Sequence, residues 1–267
     1  MIQIREPAVA GVFYPAGSGD LAAAIHAMLP AGRETSKQAP KALIVPHAGY
    51  IYSGPVAASA YACLQPWRDS YRRVVLLGPA HTVRFEGLAA SAASRFRTPL
   101  GDIDVDQAAI DLLDPGAVIR FERAHAAEHS LEVQLPFLQS LLSGFRIVPL
   151  LTGHVGVGTV AQVIETLWDG PETLFVISSD LSHYLYYDQA RERDRSTCHA
   201  IERGDSAAIG YADACGSVAV AALLIAARRH GLATRTLDLR NSGDTVGGRD
   251  RVVGYGSWLF QEPGARP

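Results

Sequence analysis

The most constraining feature of the 267-residue chain is a set of short runs that are apolar at almost every position. Leu174-Phe-Val-Ile-Ser178 is one; Ala42–Val45, Arg73–Leu77 and Arg146–Leu151 are others. A strand with one wet face alternates apolar and polar residues, so a run that is apolar throughout reads as a strand covered on both sides. A further strand is expected at Val252–Phe260, with weaker ones near Gly87–Ala92 and Thr234–Leu239. Helical spacing occupies Asp20–Leu29, Pro55–Leu64, Val105–Leu113, Ser130–Leu142, Gly158–Trp168, Asp188–Arg203 and Cys215–His230. This alternation predicts an α/β fold with a central, mostly parallel or mixed sheet flanked by helices. No internal repeat breaks it, and the one linker-like stretch, Gly32–Lys41, is short and early. A single domain over residues 1–267 is expected.

Charge and cysteine usage remove several classes of function. Lys plus Arg number 24 against 27 Asp plus Glu, a net charge of -3. A phosphate footprint needs a surplus of clustered basic residues, so nucleic acid is not the expected partner. Three cysteines do not make a disulfide framework, which suits a reducing compartment. Met1–Pro7 carries both charges and no apolar core of a signal peptide. The greasiest run, Val218–Ala227, is far shorter than the roughly 20 residues a membrane span takes. The expectation is a cytoplasmic protein with no membrane partner.

The chemistry lies just past the strands. Ala42–Val45 runs into Pro46-His47, Val74–Leu77 into Gly78-Pro-Ala-His81, Leu174–Ile177 into Ser178-Ser-Asp180-Leu-Ser-His183, and Ile147–Leu151 into Thr152-Gly-His154. Open α/β sheets bind ligands outside the carboxyl ends of their strands. If these strands are parallel neighbours, His47, His81 and His183 converge, and neutral imidazole suits iron, copper and zinc. His154 has nothing chemical around it and reads as a loop residue. Cys63 falls in an apolar helix pattern and Cys198 in a charged one, and neither gains a role. Cys215 stands where a helix begins, a setting expected to favour the metal-binding thiolate. His129, beside a helix cap at Ser130, is able to point into the same cleft. Tyr50 and Tyr52 are expected to line a pocket for a flat ring, and the turn Asn241–Gly248, with Asp244, to wall it.

Two familiar motifs do not hold. Gly156-Val-Gly158 mimics a dinucleotide fingerprint, but four residues separate the strand from its first glycine, so the tight turn is missing. Neither a Gly-x-Ser-x-Gly elbow nor a phosphate-cradling Gly-x-x-x-x-Gly-Lys loop occurs.

Arg5-Glu-Pro-Ala-Val-Ala-Gly-Val-Phe-Tyr-Pro15, Pro46-His-Ala-Gly-Tyr-Ile-Tyr-Ser-Gly54, Gly78-Pro-Ala-His-Thr82, Glu128-His-Ser-Leu-Glu132, Ser178-Ser-Asp-Leu-Ser-His-Tyr184 and Asn241-Ser-Gly-Asp244 together resemble the Memo family, also called AmmeMemoRadiSam system protein B. The resemblance runs in order along nearly the whole chain. It implies a fold similar to the LigB-type class III extradiol dioxygenases, which are non-haem iron enzymes. It also implies that His47, His81 and Cys215 hold a metal, that His183 is the acid/base and that Asp180 is its neighbouring carboxylate. The iron dioxygenases use two histidines and a carboxylate; Cys215 in the third place departs from them and raises affinity for copper or zinc. The function implied is a non-haem Fe(II)-dependent extradiol dioxygenase, with a small catecholic substrate and O2 as partners. His129, Tyr50, Tyr52 and Asp244 would orient groups around that site. The alternative is a non-enzymatic copper- or iron-binding redox or regulatory protein, working with protein partners of the AmmeMemoRadiSam system.

Overall fold

The computed structural model describes residues 3–30 and 38–263, so most of the expected linker (residues 32–37) lies outside the described residues. In chain order the elements are β1 (Ile4–Arg5), α1 (Ser18–Met28), β2 (Ala42–Val45), α2 (Tyr50–Tyr61), β3 (Arg73–Pro79), β4 (Leu88–Ala90), β5 (Arg95–Thr98) and β6 (Gly101–Asp104). They continue with α3 (Gln107–Ile110), β7 (Val118–Arg120), α4 (Glu122–Ala126), α5 (Leu135–Leu141), β8 (Arg146–Thr152) and α6 (Val157–Thr166). The last are β9 (Thr173–Ser178), β10 (His183–Leu185), α7 (Tyr187–Glu202), α8 (Ser217–Arg229), β11 (Ala233–Asn241) and β12 (Val252–Gln261).

The apolar runs do what their composition requires. β2, β9, β3 and β8 lie side by side in that order, all parallel, and form the centre of a nine-stranded mixed sheet. Every residue of β2 and β9 is buried, as helices on both faces demand. On one flank β12 runs antiparallel to β2 and carries β10 and β11; on the other β4 is antiparallel to β8 and parallel to β7. α6 and α8 pack together, with α8 also against β3 and β9. α1, α2 and α5 form a second group, with α2 against β2, β11 and β12, while α7 lies along β11 and β12.

Several boundaries differ from the sequence expectation. Helix α2 starts at Tyr50, a full turn before Pro55, because Gly49 supplies the extended N-cap and leaves His47 in the turn between strand and helix. The helix expected over Val105–Leu113 shrinks to the single turn α3, capped by the Asp106 carboxylate. The one expected over Ser130–Leu142 becomes a 3-10 turn at Glu132–Gln134 followed by α5. A second sheet, β1-β5-β6, was not expected. β5 and β6 carry alternating charges, and their pairing is a cross-strand ladder of Arg95 with Asp104 and Arg97 with Asp102. Such pairs depend on register, which apolar patterning does not reveal.

The N-terminal motif ties this second sheet to the body of the protein through a buried ion pair. Arg5 and Glu132 are 4% and 1% exposed, and their side chains bond directly. Arg5 also donates to the carbonyls of His125 and Glu128, while Glu132 accepts from the backbone N–H groups of Ala8 and Val9 and from the Tyr14 hydroxyl. Removing one partner of a buried pair leaves an uncompensated charge. Arg5→Met is therefore expected to destabilise the fold by about 3–5 kcal/mol in urea unfolding. The double variant Arg5→Met/Glu132→Leu should recover part of that loss, whereas additive losses would show that the pair is not coupled.

Candidate metal centre

Because β2, β9, β3 and β8 are parallel neighbours, their carboxyl ends open along one edge of the sheet. His47 lies two residues beyond β2, Asp180 two beyond β9 and His81 two beyond β3. His129 joins them from the segment between α4 and the Glu132–Gln134 turn. The three imidazoles form one group. Ring centroids are 5.2 Å apart for His47 and His81, 4.8 Å for His81 and His129, and 5.5 Å for His47 and His129. One ring nitrogen from each comes within 4.8 Å of the others, a spacing able to hold a metal ion. The group passes from His47, fully buried, to His81, whose side chain is 33% exposed.

Hydrogen bonds decide which nitrogens are free. The Ser178 hydroxyl donates its one proton to the Ser130 carbonyl at 2.6 Å and accepts from Gln134 Nε2 at 2.9 Å. Its contact with His47 Nδ1, at 2.9 Å, therefore leaves the imidazole as donor. That fixes the proton on Nδ1 and leaves the Nε2 lone pair pointing away from the serine. Glu128 acts likewise on His81, whose Nδ1 lies 2.9 Å from Oε1. Metal-binding histidines are ordinarily oriented this way, the second ring nitrogen donating to an outer partner. His129 Nδ1 is 3.3 Å from the same Glu128 oxygen, and Phe13 of the N-terminal motif packs on its ring at 4.7 Å.

The electrostatics agree with a ligand set. Burial, then the nearby His81 and His129, hold His47 well below the usual imidazole range, so it stays neutral and keeps its lone pair. Burial pushes the Glu128 carboxyl up, but hydrogen bonds from the His81 ring and from the backbone N–H groups of His81 and Ser130 outweigh this and bring it down to about 2.

Cys215 sits beside this group, its Sγ 3.2 Å from His47 Nε2 and accepting the Asp180 N–H at 3.3 Å. The expected effect of the helix start on its acidity is reversed. α8 begins at Ser217 with Gly216 as N-cap, so Cys215 precedes the helix, and burial followed by the Asp180 charge pushes its thiol up to about 12. A metal ion would have to displace the proton, as thiolate ligation commonly does.

The remaining expected residues separate. The Asp180 carboxylate is buried and accepts the His47 N–H at 2.7 Å, so its geometry is that of a group positioning the His47 turn. His183, in β10, has an exposed side chain on the Asp180 side, and the backbone turns sharply after it at Tyr184, with φ 57. Tyr50 is buried in the core. Its hydroxyl donates to the Val133 carbonyl and its ring packs on Tyr14 and Phe137, because the early start of α2 turns it into the core. Tyr52, on the same turn, is partly exposed. Asp244 is engaged in its own turn, where it accepts the Asn241 N–H and the Tyr187 hydroxyl, and it does not belong to the imidazole group. His154 pairs with Glu86 in solvent, its side chain 89% exposed. The sequence assigns no role to Glu128, Ser178 or Gln134; Glu128 and Ser178 stand in the family motifs, and nothing marks Gln134.

Comparison with known proteins fits this arrangement. A family model described as Memo-like protein matches residues 5–259. The chain belongs to the Memo family. It is 40% identical to a MEMO1 family protein of Aeropyrum pernix, with 95% of this chain and 98% of the relative covered. It is 36% identical to one of Methanosarcina mazei (97% and 100% covered) and 34% identical to one of Aquifex aeolicus (97% and 100%). In this Memo-family chain, Glu128→Gln is expected to weaken metal retention by about 10–100-fold in competition with a chelator, the usual effect of losing an outer partner of a ligating histidine. Unchanged metal affinity in a folded variant would contradict the role assigned to Glu128.

Proposed function

We propose that this Memo-family protein is a non-haem Fe(II)-dependent extradiol dioxygenase that cleaves a small catecholic ring in the cytoplasm. The observation that carries the reading is the pair of imidazoles, His47 and His81, whose Nε2 lone pairs are left free by Ser178 and Glu128, with Cys215 next to them. His47, His81 and Cys215 would hold the ion, and His129 lies close enough to replace or join one of them. Bound Fe(II) would supply the binding of catecholate and O2 and the activation of oxygen.

The protein's own groups have three tasks. Ser178 and Glu128 hold two rings in one tautomer, so of the three ligands only Cys215 has to give up a proton when metal binds. Asp180 fixes the main chain of His47 and, through its own N–H and carbonyl, the Cys215 loop. His183, with its ring open to solvent, removes a proton from a catechol hydroxyl and returns one to the opened product, work that suits imidazole near neutral pH.

One observation favours a second reading, a copper- or iron-binding redox protein without turnover that acts with protein partners. Cys215 adds a soft sulfur to the imidazoles, a donor set that suits copper. The two readings part in an oxygen electrode. With Fe(II) loaded anaerobically, catechols should produce oxygen uptake and a ring-opened chromophore. His183→Ala should lower kcat about 10²–10⁴-fold with iron content unchanged. No uptake across a varied panel of catechols, with iron confirmed bound, overturns the enzyme and leaves the metal carrier, for which Cys215→Ser should lose copper.

A further inference from the structure

The edge of the sheet opposite the histidines carries a cavity of about 530 Å³, a volume within the range of small-molecule sites. Its walls come from segments that enter or leave the sheet at that edge. Lys41 directly precedes β2, Asp169–Pro171 lead into β9, Leu232 precedes β11 and Glu262 follows β12. Lys41 and His47 stand at the two ends of β2, roughly 15–20 Å apart for an extended strand of that length. The cavity is therefore separate from the metal centre.

Much of the wall is aromatic. Trp168 stacks on His230, with ring centroids 4.1 Å apart, and on Phe175 at 5.2 Å. Trp67 lines the cavity too and, among the described residues, stacks on no other ring. Pro40, Pro171 and Leu232 add apolar surface.

The donors on this wall are already engaged. Lys41 Nζ gives its three protons to the carbonyls of Asp169, Gly170 and Thr173, at 2.8–2.9 Å. His230 Nε2 is paired with Glu165 at 2.8 Å, and the Trp67 indole N–H is buried out of reach of solvent. The positive charges are matched as well. Glu172 and Asp169 act on Lys41, Asp106 and Asp169 pair with Arg73, and Glu165 pairs with Arg229 and His230. Glu262 is left over: it is exposed and, among the described residues, makes no ion pair or hydrogen bond. An unpaired carboxylate and an unstacked indole on one cavity wall suit a cation, since the carboxylate accepts its N–H groups and the ring quadrupole attracts its charge.

We propose that this cavity binds an organic cation, an amine or guanidine on an apolar body, with its charge at Glu262 and Trp67 and its body against Pro40, Pro171 and Leu232. The proposal is independent of the metal centre and of the reaction assigned to it.

The test is a titration followed by tryptophan fluorescence, since Trp67 and Trp168, two of the three tryptophans, lie on the cavity wall. Metal-stripped protein is titrated with 2-phenylethylamine and agmatine as amine and guanidine probes, and with 2-phenylethanol and 3-phenylpropionate as neutral and anionic counterparts. Both cations should change the emission saturably. 2-Phenylethylamine should bind about fivefold more tightly than the alcohol, the scale of one ion pair open to solvent, and the acid more weakly than either. Glu262→Gln should remove the preference for the amine and leave the alcohol unchanged, and Glu262→Lys should bring the amine below the alcohol. Loading with Fe(II) should alter none of these affinities. If the protein holds no metal, the function proposed above fails while the titration still reports on the cavity. No saturable binding of either cation, equal or tighter binding of the alcohol or the acid, a preference that survives Glu262→Gln, or competition by Fe(II) overturns the proposal.

Discussion

Glu128 is the constraint on which the candidate centre depends. Its carboxylate is buried, and withdrawing such a group from water costs several kcal/mol. Five donors surround it: the backbone N–H groups of His81, Thr82, His129 and Ser130, and the His81 ring. Charge-assisted hydrogen bonds contribute about 1.5–3 kcal/mol each, enough together to offset that cost. The depressed carboxyl, at about 2, agrees in direction. One anion thus fixes the backbone after β3, the backbone at His129 and the tautomer of His81. The Arg5–Glu132 pair supports it from behind, since Arg5 donates to the Glu128 carbonyl while Phe13 packs on His129. The N-terminal motif, remote in sequence from every ligand, therefore serves as scaffolding for the centre.

The sheet supplies the rest of the geometry. Parallel order β2-β9-β3-β8 brings the ends of three strands to one edge, where His47, Asp180 and His81 follow their strands at the same two-residue distance. Ser178, the last residue of β9, lies between β2 and β3 and joins Ser130, Gln134 and His47 in one buried network. Side chains on this edge are aimed by strands whose every position is buried, so they have little room to relax when a ligand arrives.

Much of this was legible in the sequence, for a physical reason. Runs such as Leu174–Ile177 leave no choice but a doubly covered strand, and residues just past such strands fall at the ligand-binding edge. His47 and His81 are singled out in that way and through the family motifs, Cys215 through the family resemblance. What stayed hidden depended on partners distant in sequence. The charged hairpin β5-β6 is held by Arg–Asp pairs that no hydrophobic period marks. Tyr50 reads as a pocket residue because it stands beside His47; with α2 beginning at Tyr50, the ring falls into the core. Glu128 and Ser178 resembled an ordinary helix entry and strand end, and their roles emerge only from hydrogen bonds that span 47 and 131 residues. The acidity of Cys215 runs against its place beside a helix start because the helix begins two residues later and burial, with the Asp180 charge, pushes the thiol up.

At the centre of the proposed function, imidazoles with preset lone pairs share one metal ion beside a cysteine. X-ray absorption on protein loaded with one equivalent of Fe(II) addresses it directly. Two or three imidazoles with their multiple-scattering signature, together with one sulfur at roughly 2.3 Å, are expected, a distance typical of metal–thiolate bonds. A shell of oxygen alone, without imidazole scattering, would contradict the account.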